Sequence, residues 1–327
     1  MSVKSCANVD SNQGASFDRL ILNPGAFRIF LAGMVLLSHL SAIGVGRLGV
    51  AAFFMLSGYW ITNLWNRIGG YDRVAMFFAN RIFRIYPLYI IVVLFCIALF
   101  HVYLTPSTFL LLGVATSDGP HAIGVEWSLD IEMQFYLVFP ILYFLLKTIP
   151  RSGYSVCGAL TVLGWLIGMR WGVETVLKYL PMFCIGMTLY IRTIRFSNRS
   201  ALLSFAAFLS LFVACYTFPY SRPLVITGGA PGPIEQDVFA MIWASLLTPY
   251  LGASVVRKSN HLDRILGDSS YPMYLIHYPV IRLVHGFFGQ AGFLWRALAV
   301  ACVVGSTAAL YQFVDRPMER VRRRLLG

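Results

Sequence analysis

The chain has 327 residues, of which 58% are hydrophobic and only 12% are charged. Soluble domains carry roughly 25% charged residues, so too few charges are present here to cover a soluble surface. The net charge of +12 does not indicate nucleic-acid binding, because the cations fall in short loops between apolar runs and form no basic stripe with interleaved aromatic residues.

Ten apolar segments are candidates to cross a bilayer, whose hydrocarbon core requires about 20 residues of helix. In chain order they are residues 26–45, 48–65, 85–104, 128–147, 154–171, 176–192, 201–219, 237–256, 271–288 and 293–314. The sixth is short and contains Pro181, and the apolar stretch 109–115 is too short to cross, which predicts a re-entrant or interfacial position. We therefore expect an all-α integral membrane protein, a bundle of about ten transmembrane helices.

The loop charges predict the orientation of this bundle. Nineteen lysine and arginine residues fall on segments that would face the cytoplasm, and five fall on the opposite side: Arg47, Arg170, Lys178, Arg222 and Arg296. Because such cations collect on the cytoplasmic side, both termini are predicted to be cytoplasmic and the protein to be a multi-pass protein of the inner (cell) membrane. The expected regions are a cytoplasmic tail over 1–25, a membrane domain over 26–314 and a basic cytoplasmic tail over 315–327.

Two outer loops and the cysteines complete this outline. Loops 105–127 and 220–236 are predicted to be irregular and could shape an entrance for an acceptor. The six cysteines are scattered without a Cys-x-x-Cys pair, so the sequence predicts neither a disulfide framework nor a metal site.

Ionisable side chains inside an apolar span are costly and are therefore functional candidates. Arg28 and His39 lie 11 residues apart in the first segment. This separation is ~16 Å and about three turns of helix, so both point to nearly the same side. An imidazole near mid-membrane can take a proton from a hydroxyl, but it can equally be a structural hydrogen-bonding group between helices. Spacing alone does not separate these interpretations.

Arg81 and Arg84 would share one helix face at the cytoplasmic mouth of the third segment. Guanidinium groups bind phosphates bidentately, which would suit a polyphosphate ligand such as coenzyme A. The alternative is ordinary positive charge on the cytoplasmic side. If Pro87 begins a new helix, the pair lies instead on a preceding interfacial segment.

Two further ionisable residues are candidates. Glu132 lies near the outer end of the fourth segment, and Asp130, two residues away, must face elsewhere. Helix rise predicts that Glu132 is about two turns nearer the outside than His39, so no direct pair is expected. His277 is expected near the level of His39. Each has a structural alternative, but ionisable residues clustered from separate spans indicate a site.

Five motifs occur in order along the chain: Arg28 with His39, Phe53-Phe54-x-x-Ser57-Gly58, Arg81-x-x-Arg84, Trp127-Ser128-Leu129-x-x-Glu132, and Ser270-Tyr271-x-x-Tyr274-Leu275-x-His277. Together, over residues 28–277, they resemble the acyltransferase 3 family of membrane O-acyltransferases. The resemblance implies transfer of an acyl group, commonly acetyl, from cytosolic acyl-CoA to a hydroxyl of a surface polysaccharide, a lipid-linked sugar or a small metabolite. Some relatives carry an extracytoplasmic hydrolase-like domain; without one, transfer is expected within the membrane domain or with a separate partner.

The resemblance also implies roles for the candidate residues. His39 would be the catalytic base or a transient acyl carrier, and Arg28 would hold its geometry or contact the donor. Further members of the site would be Arg81 and Arg84, as ligands of the donor phosphates, and Glu132 and His277, in the catalytic cavity. No metal and no permanently bound cofactor is expected. The expected partners are acyl-CoA, a hydroxyl acceptor, membrane lipid and other polysaccharide-biosynthesis proteins.

The main rival interpretation is a transporter or flippase of a lipid-linked saccharide, with His39 and Glu132 as a proton relay. No inverted repeat with matching broken helices is visible in the sequence, which disfavours a transporter. A non-catalytic membrane scaffold would explain the apolar segments but not the clustered ionisable residues.

Overall fold

A computed structural model describes residues 20–102, 105–116, 121–227, 234–289 and 292–326. The predicted outer-loop residues 117–120 and 228–233, and most of the N-terminal tail, lie outside the described residues. The thirteen α-helices of the described ranges are α1 Pro24–Leu40, α2 Gly46–Ile68, α3 Val74–Phe100, α4 Pro106–Leu110, α5 Glu126–Thr148, α6 Pro150–Trp171, α7 Val176–Ile191, α8 Asn198–Thr217, α9 Gln236–Ser245, α10 Thr248–Val255, α11 His261–Phe288, α12 Gly292–Leu310 and α13 Arg316–Leu326. A π-helical turn, Tyr311–Asp315, joins α12 to α13.

The described residues contain no β-strand, so the prediction of an all-α protein is confirmed; one isolated bridge joins Ile43 to Ile226. Six helical segments of the described chain are long and apolar enough to cross a membrane, or seven if α9 and α10 form one span. The chain is therefore a multi-pass membrane protein. The shorter apolar helices α1 and α7 have 17 and 16 residues. The count of ten spans and the position of the termini stay predictions.

Several predicted boundaries were wrong. Helix α1 ends at Leu40 rather than at residue 45, and the segment 237–256 is broken into α9 and α10, which meet at a bend of 54°. Helix α11 begins at His261, well before residue 271, because polar residues continue the helix beyond its apolar part. Helix α3 continues through Pro87, so Arg81 and Arg84 lie on the same helix as the span that follows them.

The start of α1 is tied to α11. The Asp263 carboxylate accepts hydrogen bonds from the backbone N–H groups of Gly25 at 3.1 Å and Ala26 at 2.8 Å. These groups belong to the first turn of α1, where helix geometry leaves N–H groups without partners in the helix. A Cβ at Gly25 would overlap the Asp263 carbonyl oxygen, so glycine permits this close approach. The helix that carries Arg28 is therefore anchored to the helix that carries His277.

Helices α2 and α7 make a second close contact through glycine. A Cβ at Gly58 would overlap the Phe183 carbonyl oxygen, and a Cβ at Gly186 would overlap the Met55 carbonyl oxygen. Small residues of this kind let the backbones of membrane helices approach closely. Phe183 also stacks on Phe135 of α5, with 4.0 Å between the ring centroids. In the Ser-Gly pair of the second motif, Gly58 therefore has a packing role, whereas Ser57 lines an interior cavity.

Candidate active site

Five arginine side chains share an interior cavity of about 360 Å³, here called the arginine cavity. They are Arg28 of α1, Arg81 and Arg84 of α3, and Arg322 and Arg323 of α13. The carboxylates that line the same cavity are Glu132, Asp268 and Glu319. Cations outnumber carboxylates in this lining, and such a cavity favours an anionic ligand.

Arg81 and Arg84 differ in the partners of their guanidinium groups. The Arg84 Nη1 donates to an Asp315 carboxylate oxygen at 2.8 Å, and its Cζ lies 5.2 Å from the ring centroid of Tyr271. The Arg81 Nη2 donates to the Asn80 Oδ1 at 2.6 Å, but its buried Nε has no hydrogen-bond partner in the described part of the chain. Arg84 is therefore held in an ion pair, whereas Arg81 has a neutral partner in Asn80.

Glu132 lies in the second turn of α5 and faces the arginine cavity. Its Oε1 accepts hydrogen bonds from the Ser57 hydroxyl at 2.9 Å and from the Tyr136 hydroxyl at 2.6 Å. Asp130 faces elsewhere, as predicted: it accepts from the Ala115 backbone N–H at 2.8 Å and from the Gln134 amide at 2.9 Å. Glu132 thus joins α2 to α5 at the cavity wall.

His39 lines a different cavity of about 250 Å³, here called the histidine cavity. It stands in the last turn of α1 and its side chain is exposed to this space. Polar and aromatic residues also line this cavity, including Ser38, Arg47, Trp127 and Gln236. His39 is therefore accessible to a ligand in the histidine cavity.

His277 packs beside His39, with 5.2 Å between the ring centroids, which confirms that the two are at one level. Its side chain is fully buried. The His277 Nδ1 lies 2.8 Å from the Tyr274 carbonyl oxygen and 3.2 Å from that of Met273, so it carries the hydrogen. The Nε2 lone pair then has no donor among the described residues. The buried Nε2 of His277 can thus act only as a hydrogen-bond acceptor.

The two cavities meet at a thin partition, here called the septum, formed by Val50, Ser128 and Tyr274. Val50 and Tyr274 line both cavities, and Ser128 lines the arginine cavity. The hydroxyls of Tyr274 and Ser128 lie 2.5 Å apart and are hydrogen-bonded. The arginine cavity and the cavity that contains His39 are therefore neighbours on either side of this contact.

The predicted depth order of Glu132 and His39 was wrong. His39 contacts the Tyr278 ring, and that ring packs on Gly124, which precedes α5. Glu132 is eight residues further along the chain and shares the arginine cavity with Arg28. Glu132 therefore lies on the arginine side of His39. The error arose because the first span was predicted to extend to residue 45, which placed His39 too near its middle. The absence of a direct pair between them was nevertheless predicted correctly.

A charged cluster borders the histidine cavity. The buried Lys178 ammonium donates to Glu174 at 2.9 Å, Glu235 at 3.0 Å and Asp237 at 2.7 Å. Asp237 also pairs with Arg47, which lines the cavity. Burial raises the pKa of the Glu235 carboxyl above its ordinary value, although Lys178 opposes the shift. Lys178 and Arg47 were predicted only as outer-loop cations; here they join α2, α7 and α9.

Sequence reasoning missed the contribution of α13. Arg322 and Arg323 were predicted only as part of the basic cytoplasmic tail, and no role was predicted for Glu319, yet all three line the arginine cavity. The spacing of Glu319 from Arg322 and Arg323, three and four residues, is that of ion pairs on a helix face and could have indicated a helix. Their proximity to Arg81 could not be read from spacing.

Comparison with known proteins agrees with these features. A profile of the acyltransferase domain family (Acyl_transf_3) matches residues 21–312. Nodulation protein 10 of Rhizobium leguminosarum bv. viciae is 22% identical over 323 residues, covering 85% of this chain and 84% of that protein. O-acetyltransferase OatA of Staphylococcus aureus (strain NCTC 8325 / PS 47) is 25% identical over 356 residues, covering 90% of this chain and 56% of OatA, so this chain spans about half the length of OatA. No solved structure matches. With a family match over most of its length, the chain belongs to the acyltransferase 3 family.

Proposed function

We propose that the protein is a membrane O-acyltransferase that moves an acyl group, acetyl in the first instance, from cytosolic acyl-CoA to a hydroxyl of a carbohydrate acceptor. Surface polysaccharides and lipid-linked sugars are acceptors of this kind. The observation that carries the proposal is the meeting of the arginine cavity and the histidine cavity at one septum. One cavity has the cations that a polyphosphate donor needs, and the other is lined by His39, which packs against the buried His277 and can activate a hydroxyl.

The donor would bind with its phosphates in the arginine cavity. Arg81 and Arg84, which both line this cavity, would contact these phosphates. Arg28, which also lines the cavity, would contact the donor beyond the phosphates. The acyl end of the donor would then extend toward the septum. Glu132 keeps this wall in place through its bonds to Ser57 and Tyr136.

The chemistry follows from the pairing of His39 and His277. His277 would accept an N–H from His39, which leaves the other His39 nitrogen free to take the proton of the acceptor hydroxyl. The oxygen then attacks the thioester carbonyl carbon, the carbon–sulfur bond breaks, and the imidazolium returns the proton to the thiolate. The products are an ester and the free thiol of coenzyme A. In this scheme His39 serves as the general base.

The acceptor would occupy the histidine cavity. Trp127 offers an aromatic surface there, and Gln236 and Arg47 offer hydrogen-bonding groups, a combination that suits a sugar ring. Because OatA is named an O-acetyltransferase, its similarity supports acetyl as the transferred group. Other polysaccharide-biosynthesis proteins would supply or receive the acceptor.

The membrane arrangement proposed with this function has ten spans and two cytoplasmic termini, in the inner (cell) membrane. Its spans are the six segments that are long and apolar enough to cross a membrane, together with α1, α7, α11 and the bent pair α9–α10. The loop charges support it, since lysine and arginine are concentrated on alternate segments. The arginine cavity then opens to the cytoplasm and the histidine cavity to the outer side.

The test has two stages. Mass spectrometry of surface glycans from cells with and without the gene should show one acyl ester that depends on it, which identifies the acceptor. Purified protein should then transfer label from acetyl-CoA to that glycan. Replacement of His39 by Ala should lower the rate by roughly 10²–10⁴-fold, the usual contribution of a general base.

His261→Ala is the matched control, because His261 is exposed at the start of α11 and lines neither cavity. This variant should keep the wild-type rate. Transfer by His39→Ala at the rate of His261→Ala would disprove the role of His39. If the wild-type protein moves a lipid-linked saccharide across vesicles and leaves labelled acetyl-CoA intact, the transporter interpretation is correct instead.

A further inference from the structure

Helix α13 brings Arg322 into the arginine cavity beside Arg81. The Arg322 side chain is 16% exposed, whereas that of Arg323 is 72% exposed. The Nη1 of Arg322 and the Nη2 of Arg81 both donate to the Oδ1 of Asn80, each at 2.6 Å. Asn80 is itself buried. One neutral amide oxygen thus holds two guanidinium groups from different helices within a few ångströms of each other.

Two like charges this close repel each other, and an anion between or beside them relieves the repulsion. Asn80 brings no charge, so it does not neutralise either guanidinium group. Two converging guanidinium groups that line one cavity are an arrangement that binds a phosphate group. Asn80 therefore sets the spacing of a phosphate site rather than filling it.

Glu319 supplies the negative charge beside Arg322. Its carboxylate accepts from the Nε and Nη2 of Arg322 at 2.8 and 2.6 Å, and from the Nε of Arg323 at 2.8 Å. It lies one turn before Arg322 on α13 and lines the same cavity. A carboxylate that occupies an arginine fork competes directly with a phosphate for the same N–H groups.

We propose that Arg322 and Arg81 form a two-arginine phosphate site for the acyl donor, and that Glu319 is the internal counter-ion that the phosphate replaces. This assignment rests on the proposed function, since it takes acyl-CoA as the source of the phosphate. It makes α13 part of the donor site, with Arg322 as a binding residue. Loss of Arg322 then weakens the donor complex, and neutralisation of Glu319 strengthens it.

The test measures binding of coenzyme A by calorimetry to the purified full-length protein in an uncharged detergent. Arg322→Gln should weaken binding by about tenfold or more, the effect of losing a charge-assisted hydrogen bond. Glu319→Gln should tighten binding several-fold. Arg320→Gln is the matched control: it removes the same charge from the same helix, but Arg320 is exposed and does not line the cavity. Its affinity should stay within about twofold of wild type.

Equal losses in Arg322→Gln and Arg320→Gln would overturn the proposal, because they would reduce it to the general charge of α13. The proposal would also be overturned if Arg322→Gln lowered the affinity for coenzyme A only when anionic phospholipid is present. That result would assign Arg322 to a lipid phosphate. If the wild-type protein binds no coenzyme A, the proposed function itself fails. Binding of coenzyme A that is insensitive to Arg322 defeats only the two-arginine site.

Discussion

The ion pair between Arg84 and Asp315 joins α3 to the π-helical turn before α13, and its removal should destabilise the protein. The two side chains are 19% and 7% exposed and lie 2.8 Å apart. Breaking a buried pair by removal of one partner costs roughly 3–5 kcal/mol, because the other charge is left without compensation. Arg84 keeps some access to the cavity and its contact with Tyr271, so the lower limit applies. Asp315→Asn should therefore lose about 3 kcal/mol of stability.

Thermal unfolding of the purified protein in detergent measures this loss. At the roughly 2–4 °C per kcal/mol known for domains of 150–250 residues, the melting temperature should fall by about 6–12 °C. Asp72→Asn removes an exposed carboxylate and should melt with the wild-type protein. The double variant Arg84→Met/Asp315→Leu should recover most of the loss, because no buried charge is left unpaired.

The reasoning would be refuted by an Asp315→Asn protein that melts within about 1 °C of Asp72→Asn, since the pair would then contribute no net stability. A double variant that melts below Asp315→Asn would refute it in another way. In that case Arg84 would stabilise the fold through contacts other than its ion pair.

Two further predictions concern packing and topology. Gly58→Ala should destabilise the protein by about 1–3 kcal/mol in the same melting assay, because the added Cβ would overlap the Phe183 carbonyl oxygen. A Cβ added at Gly33 would meet open space, so Gly33→Ala should be neutral or slightly stabilising. In intact cells, a membrane-impermeant thiol reagent should label Tyr220→Cys, which is on the proposed outer side. It should not label Tyr71→Cys, which is on the proposed cytoplasmic side. Both side chains are exposed, and labelling is measured relative to the wild-type background. The reverse pattern would contradict the orientation, and labelling of both would contradict the separation of these two loops.

Apolar length predicted the helices because a membrane requires long helical segments, but it did not predict their ends. The apolar composition of a span does not show how far its helix continues into polar surroundings, as it does at the start of α11. There Asp263 caps α1, a partner 237 to 238 residues away in sequence. The bend between α9 and α10 was missed for the same reason: the apolar run is continuous through residues 246 and 247, and Pro249 follows in the first turn of α10.

The candidate site could be predicted as far as local motifs extend. The order of the motifs predicted two groups of site residues. Arg28, Arg81 and Glu132 line one cavity, and His39 and His277 pack together. The separation into two cavities was not predictable, because it depends on where helices from distant parts of the chain cross. The same is true of Arg322, whose contact with Asn80 spans 242 residues.

The septum gives these motifs a common geometry. In α5, Trp127 lines the histidine cavity, Ser128 belongs to the septum and Glu132 lines the arginine cavity. In α11, Tyr271 lines the arginine cavity, Tyr274 belongs to the septum, and His277 follows one turn later beside His39. Both motifs therefore run from one side of the partition to the other. An enzyme that took a donor from one side of the membrane and an acceptor from the other would need such a partition, because an open channel through both cavities would let water and ions cross. The hydrogen bond between the Ser128 and Tyr274 hydroxyls lies at this partition and joins the two motifs there.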